Sequence, residues 1–189
     1  MVVNEKALVR QMKEAYKNQG YTVAVHADMM AIMAGFWLVM IDVDNVPNEV
    51  LSLIALHMRL IPENGDAYRV VKGDDGPIVQ KKIADVVMEP VSRMEEEIAA
   101  AYDDGGPCWM KRTNLRYDEC NVWQGDIQNG IYLIDPRYEA LIANKDSVSK
   151  VGNGIYADGE ISRVWVLRVD NKAADAHLRH LALIQWVTK

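Results

Sequence analysis

Apolar residues recur at helical spacing near the start of the chain. Ala7, Leu8, Met12, Ala15 and Tyr16 share one side of a helix expected over Asn4 to Gln19, with Lys6, Lys13 and Lys17 off that stripe. Gly20 is a good residue to end it. Tyr21 to His26 alternates and is rich in β-formers, which predicts a strand. Phe36 to Val43 is almost continuously apolar, the pattern of a strand buried on both faces. After the Asp44-Asn45 turn, Pro47 suits a first helical position, and Val50, Leu51, Ile54, Ala55 and Met58 make a buried helical face. Pro62, Asn64 and Gly65 close that helix.

Ala67 to Lys72 and Ile78 to Met88 read as the arms of a hairpin around Gly73-Asp74-Asp75-Gly76-Pro77. Pro90 to Tyr102 reads as a third helix, ended by Asp103-Asp104-Gly105-Gly106-Pro107, the best candidate boundary between halves. Beyond it the pattern is more β-like. Cys108 to Thr113, Leu115 to Trp123 and Ile131 to Ile134 read as strands. Asp135-Pro136 caps a short helix to about Ala143. Ser147 to Val151 and Ile155 to Ala157 flank Gly152-Asn153-Gly154, Asp158-Gly159 is a hairpin signal, and Ile161 to Asp170 is a long strand. Lys172 to Val187 would be a closing helix with Leu178, Leu181 and Ile184 inward.

This alternation predicts an α+β fold, with short antiparallel or mixed sheets packed by helices at both chain ends. It divides into an N-terminal module, 1–103, and a C-terminal module, 107–189, which either stand apart or merge into one compact domain. Two stretches look alike: a Trp37 strand, Asp44-Asn45 and an apolar helix, then a Trp165 strand, Asp170-Asn171 and an apolar helix. If they are a duplication, the fold is two pseudo-repeated modules sharing or abutting sheets.

Composition is that of an ordinary globular protein: 189 residues, half of them hydrophobic and a quarter charged. The net charge of −6 argues against a generally basic nucleic-acid binder. Glu5, Lys6 and Arg10 interrupt any apolar run at the start, so no signal peptide is expected, and the apolar stretch Met29 to Val43 is too short to span a membrane. A cytoplasmic protein is expected, with Cys108 and Cys120 as free thiols and without a cofactor.

No phosphate-binding glycine loop, GxSxG, HExxH or calcium loop occurs in the sequence. Asp175, His177 and His180 could share one side of a helix and hold a divalent ion, the basis of a metal-dependent hydrolase reading; equally they could line a solvated edge. Otherwise nothing spells a catalytic residue, and a non-enzymatic protein is expected.

Charge carries more. Residues 85–104 hold seven carboxylates against Arg93, a net −6 that equals the charge of the whole protein. Such a segment either solvates a helix or imitates a phosphate backbone and enters a basic nucleic-acid channel. Glu96, Glu97, Asp103 and Asp104 are the residues expected to meet a partner. Met29, Met30 and Met33 are either core or a pliable protein-binding hairpin. Lys6, Arg10, Lys13 and Lys17 fall on one side of the first helix. Lys111, Arg112 and Arg116 cluster with Trp109, Tyr117 and Trp123, which are either core or a platform for single-stranded nucleic acid.

The stretches KALVRQMKEAYKNQGYTVAV and FWLVMIDVDNVPNEVLSLIALHMRLIPENGDAYRVVKG resemble small acidic proteins carried by phages and other mobile elements of gut bacteria, among them anti-CRISPR inhibitors of the type II RNA-guided nuclease. The resemblance covers roughly the first half. It implies a non-enzymatic inhibitor that binds the nuclease or its guide complex, and it carries over no catalytic residue. The alternative is a phage DNA-replication or DNA-handling accessory protein, a clamp-like or single-strand-binding α+β module. Its supports are the possible duplication and the basic, aromatic strands.

Overall fold

The computed structural model describes residues 1–103, 106, 108–125 and 130–170. The fold is α+β. Helix α1 (Glu5–Lys17) precedes the meander β1 (Tyr21–His26), β2 (Met29–Ala34), β3 (Trp37–Asp42). Helix α2 (Asn48–Met58), the hairpin β4 (Ala67–Gly73) and β5 (Gly76–Lys82), and helix α3 (Ala84–Asp103) follow. The remainder is β6 (Lys111–Tyr117), β7 (Cys120–Gln124), β8 (Ile131–Ile134), the single turn α4 (Pro136–Glu139), β9 (Val148–Val151), β10 (Gly154–Gly159) and β11 (Ser162–Leu167).

Eight strands form one antiparallel sheet in the order β5-β4-β1-β2-β3-β11-β10-β9, and β6-β7-β8 form a second, smaller one. The large sheet takes strands from both halves, joined where β3 pairs with β11. The boundary near residue 105 therefore does not divide the large sheet, which takes strands from both sides of it. The two tryptophan strands are these neighbours, but Trp37 pairs with Val166 and Trp165 with Leu38. Trp37 packs toward α1 and α2 and Trp165 toward α3, so the tryptophans that suggested a repeat are not equivalent in space.

Period-two alternation puts two apolar faces on the sheet. Val23, Ile32, Val39, Ile41, Val164 and Ile155 face α1 and α2 in the main core. Ala24, Ala31, Leu38, Met40 and Tyr156 face α3 through Met88, Val91 and Met94. Trp123, Tyr132 and Ile134 of the small sheet join the main core, beside Leu141 and Val148.

Local chemistry explains most boundaries. The Asn4 side chain accepts a hydrogen bond from the Ala7 N–H and caps α1. Gly20 (φ +82°) returns its N–H to the Ala15 carbonyl at 2.7 Å, where a Cβ would lie 2.5 Å from the Val70 carbonyl oxygen. The Asp135 side chain caps α4, with Pro136 at the first helical position. That helix stops at Glu139 rather than Ala143.

Four expectations are corrected. The strand expected over Ile78 to Met88 ends at Lys82, and α3 already runs from Ala84, so Pro90 lies inside the helix. β-branched Val86 and Val87 and a proline that suits a helix start misplaced that boundary. The Gly73 to Pro77 connection closes as a two-residue turn, because Gly73 pairs with Gly76. The break expected at Asn114 is an irregular register between Arg112 and Arg116; the turn is Asp118-Glu119, at positive φ (46° and 66°). The hairpin after β10 turns at Glu160-Ile161, because Asp158 and Gly159 still pair with Arg163 and Ser162. The closing helix expected over Lys172 to Val187 lies outside the described residues.

Candidate functional site

The acidic segment becomes an outward ridge. Met88, Val91 and Met94 turn α3 onto the sheet, which sends Asp85, Glu89, Glu96 and Asp103 to the opposite side. Their spacings of four, seven and seven residues keep them near one line, about 27 Å long at 1.5 Å per residue. All four are exposed. Arg93 interrupts the line and bonds to Glu89. Glu95 and Glu97 leave the helix on its two flanks. Glu95 pairs with Arg163 of β11 at 3.2 Å, and Arg163 also meets Asp158 at 3.3 Å. Glu97 lies against the β9–β10 turn, where a side chain on Gly152 would collide with its carboxylate.

Of the four carboxylates expected to meet a partner, Glu96 and Asp103 stand on the ridge, Glu97 stands on a flank, and Asp104 lies outside the described residues. Asp85 and Glu89 were missed, because the sequence pattern placed the helix start at Pro90. Extending the helix by one and a half turns puts both on the line.

The methionine hairpin is corrected. Met29, Met30 and Met33 belong to β2, which pairs along both edges with β1 and β3. Met30 is 1% exposed in the main core; Met29 and Met33 are half-buried on the α3 side. The apolar run from Met29 to Val43 is two strands joined at Gly35-Phe36 with helices packed on both faces, so Met29, Met30 and Met33 do not form a free-standing exposed hairpin.

The single-strand platform is corrected too. Trp123 is fully buried and donates its Nε1–H to Glu139 at 3.3 Å. Asn121 donates to the same carboxylate oxygen. The other Glu139 oxygen meets Arg112 at 3.2 Å and Lys145 at 2.7 Å. Four partners thus satisfy a carboxylate that is itself 1% exposed, and Arg112 serves to tie β6 to α4. Arg116 bonds the Asn121 side chain at 3.3 Å. Lys111 lies exposed on β6. Trp109 is 57% exposed and bridges to Ser149 of β9, bordering a cleft of about 200 Å³ with Tyr102 and Tyr156. The set does not converge on one aromatic face.

Lys6, Arg10, Lys13 and Lys17 do converge. They line the exposed side of α1 at spacings of four, three and four. α1 and α3 cross β1 from opposite faces of the sheet, so the molecule carries a basic row on one side and an acidic ridge on the other.

Asp175, His177 and His180 lie outside the described residues; among those described, no group of three or more His, Cys, Asp or Glu could hold a metal ion. Burial pushes the Cys120 thiol up from its ordinary value, away from the reactive thiolate. No described helix is long and apolar enough to cross a membrane.

No family model matches the chain, and no curated protein matches it. Among solved structures, one from Eubacterium rectale, provisionally described as a DNA polymerase III beta subunit, aligns over 93% of this chain at 10% identity with a TM-score of 0.34. This chain spans 66% of that protein's length. A likeness at this level carries no argument about function.

Proposed function

We propose that the chain is a non-enzymatic binding protein that lays the outward carboxylates of α3 into the basic groove of a nucleic-acid enzyme. The observation that supports this is the line of Asp85, Glu89, Glu96 and Asp103, exposed along a helix that turns Met88, Val91 and Met94 onto the sheet. One exposed charge contributes little, but several on one line steer association and compete for a site shaped to take phosphates. The resemblance of the first half to type II anti-CRISPR inhibitors makes an RNA-guided nuclease, alone or with its guide, the first partner to test.

In the DNA-handling alternative the strand platform lacks Trp123, which is buried, while the exposed Arg112 is tied to Glu139 of α4 and Arg116 to Asn121. That alternative keeps the basic row of α1.

The test is association with a type II nuclease–guide complex at 50 and 300 mM salt. The wild-type protein should bind faster at low salt. Asp85→Ser, Glu89→Ser, Glu96→Ser and Asp103→Ser together should slow low-salt association about tenfold or more and flatten its salt dependence, with folding intact because all four are exposed. Equal association by the quadruple variant, or no binding by the wild type, overturns the proposal.

A further inference from the structure

The basic row of α1 is not used by the ridge on α3. Lys6, Arg10, Lys13 and Lys17 are all exposed, and none forms an ion pair with a described residue. Elsewhere cations are commonly matched: Lys81 to Asp66, Arg93 to Glu89, Arg137 to Asp135, Arg163 to Glu95 and Asp158, Arg168 to Asp170. On α1 Glu14 stands one turn from both Arg10 and Lys17 and pairs with neither. Four like charges left unmatched on one line repel one another, and an anionic partner would relieve that.

We infer that the exposed side of α1 is a sequence-independent contact surface for the phosphate backbone of double-stranded DNA. The row is about 17 Å long at 1.5 Å per residue. A duplex carries one charge per roughly 1.7 Å of axis, so several phosphates lie within its reach. Beside it lies a shallow open cleft of about 630 Å³ lined by all four cations, with Glu14 and Glu49 also on its rim. Those two carboxylates leave the groove with a surplus of two positive charges. Tyr16 of α1 is stacked on His57 at 3.8 Å, which takes this ring out of use as a base-stacking platform. That favours backbone contact on a duplex over capture of single strands.

The protein's negative charge does not forbid this. The ridge lies on the far side of the sheet, about 20 Å away across two layer spacings, or roughly two Debye lengths at physiological salt. The inference is independent of the partner proposed for α3.

Fluorescence anisotropy with two unrelated 20-base-pair DNA duplexes, from 30 to 200 mM salt, tests it. Both duplexes should bind alike, with log K against log salt sloping at about −2.7 to −3.6 for three or four phosphates neutralised. Lys6→Gln, Arg10→Gln, Lys13→Gln and Lys17→Gln together should weaken binding at least tenfold at 50 mM and bring the slope near zero. Arg10→Gln with Lys13→Gln should remove about half the slope, which keeps the test decisive if the fourfold variant folds poorly. Lys72→Gln with Lys81→Gln, exposed lysines on another edge, should leave binding unchanged. Absence of wild-type binding at 30 mM, or a fourfold variant that is folded by circular dichroism and binds equally, overturns the inference. So does low-salt sedimentation showing α1-dependent self-association that DNA does not displace, since the row would then serve the ridge of a second copy.

Discussion

α1 and α3 cross the same strand from opposite faces, yet they are held very differently. α1 has 13 residues and buries Ala7, Leu8, Val9, Gln11, Met12 and Ala15; α3 has 20 and buries Met88, Val91 and Met94. Asn4 caps α1 and Gly20 closes it, whereas α3 carries Pro90 in its interior. A proline there removes one helical hydrogen bond and crowds the preceding turn. α1 therefore belongs to the main core, and α3 is a strap over the second face whose local stability is lower. The same difference decides what each can present. A helix fixed by its core offers a rigid line of cations, while a strap with three buried side chains and a partly buried fringe offers a line of carboxylates that can adjust to a partner.

The largest effect should come from the core helix. Leu8→Ala, at a site with no exposure, should cost about 2–5 kcal/mol in urea unfolding and shift the whole transition. Met88→Ala, at the less enclosed end of α3, should cost clearly less than Leu8→Ala. Equal losses would abolish the contrast between core helix and strap.

How far the sequence revealed this contrast depends on which interactions were local. Tyr21 to His26 and Ile131 to Ile134 were legible to the residue, because turn signals and β-formers bound them. The Asp135-Pro136 cap was legible for the same reason. The start of α3 was not, because Val86, Val87 and Pro90 each argue locally for something other than mid-helix, and packing on Ala24, Ala31 and Met40 overrides them. Glu139 was invisible as a structural centre, since Arg112, Asn121 and Trp123 reach it on α4 from the small sheet. The acid in residues 85–104 could be counted from the sequence, but which carboxylates share a line depended on that missed boundary.

A middle-sized effect would sharpen the contrast. Pro90→Ala should restore the helical bond and raise the local stability of α3 by up to about 3 kcal/mol, read as slower amide exchange across residues 88–96. Pro90 is exposed, so little packing is lost with it. Exchange within α1 should not change. Unchanged exchange in α3 would mean that the proline does not set the strap's stability, and the weaker hold would have to come from its smaller buried face.

The smallest effect separates the helices by pH. His57 of α2 is buried, stacks on Tyr16 of α1 at 3.8 Å and shares a hydrogen bond with the Tyr21 hydroxyl at 3.1 Å through Nδ1. Burial pushes its pKa below the ordinary 6.5, and the Lys13 ammonium pushes the same way. The folded state therefore prefers the neutral ring. In the window just below pH 6.5 the unfolded chain binds a proton that the folded chain refuses, so stability rises with pH there and is lost as pH falls. Urea unfolding at pH 7.5, 6.5 and 5.5 should show that decline. His57→Phe keeps a ring against Tyr16 and cannot titrate, so it should flatten the decline, although the Tyr21 hydroxyl loses its partner and overall stability drops by about 1–3 kcal/mol at every pH. No histidine lies in α3, and its exchange, corrected for the intrinsic pH dependence, should stay constant over the same window. A decline that persists undiminished in the His57→Phe protein would show that some other group couples the α1–α2 face to pH.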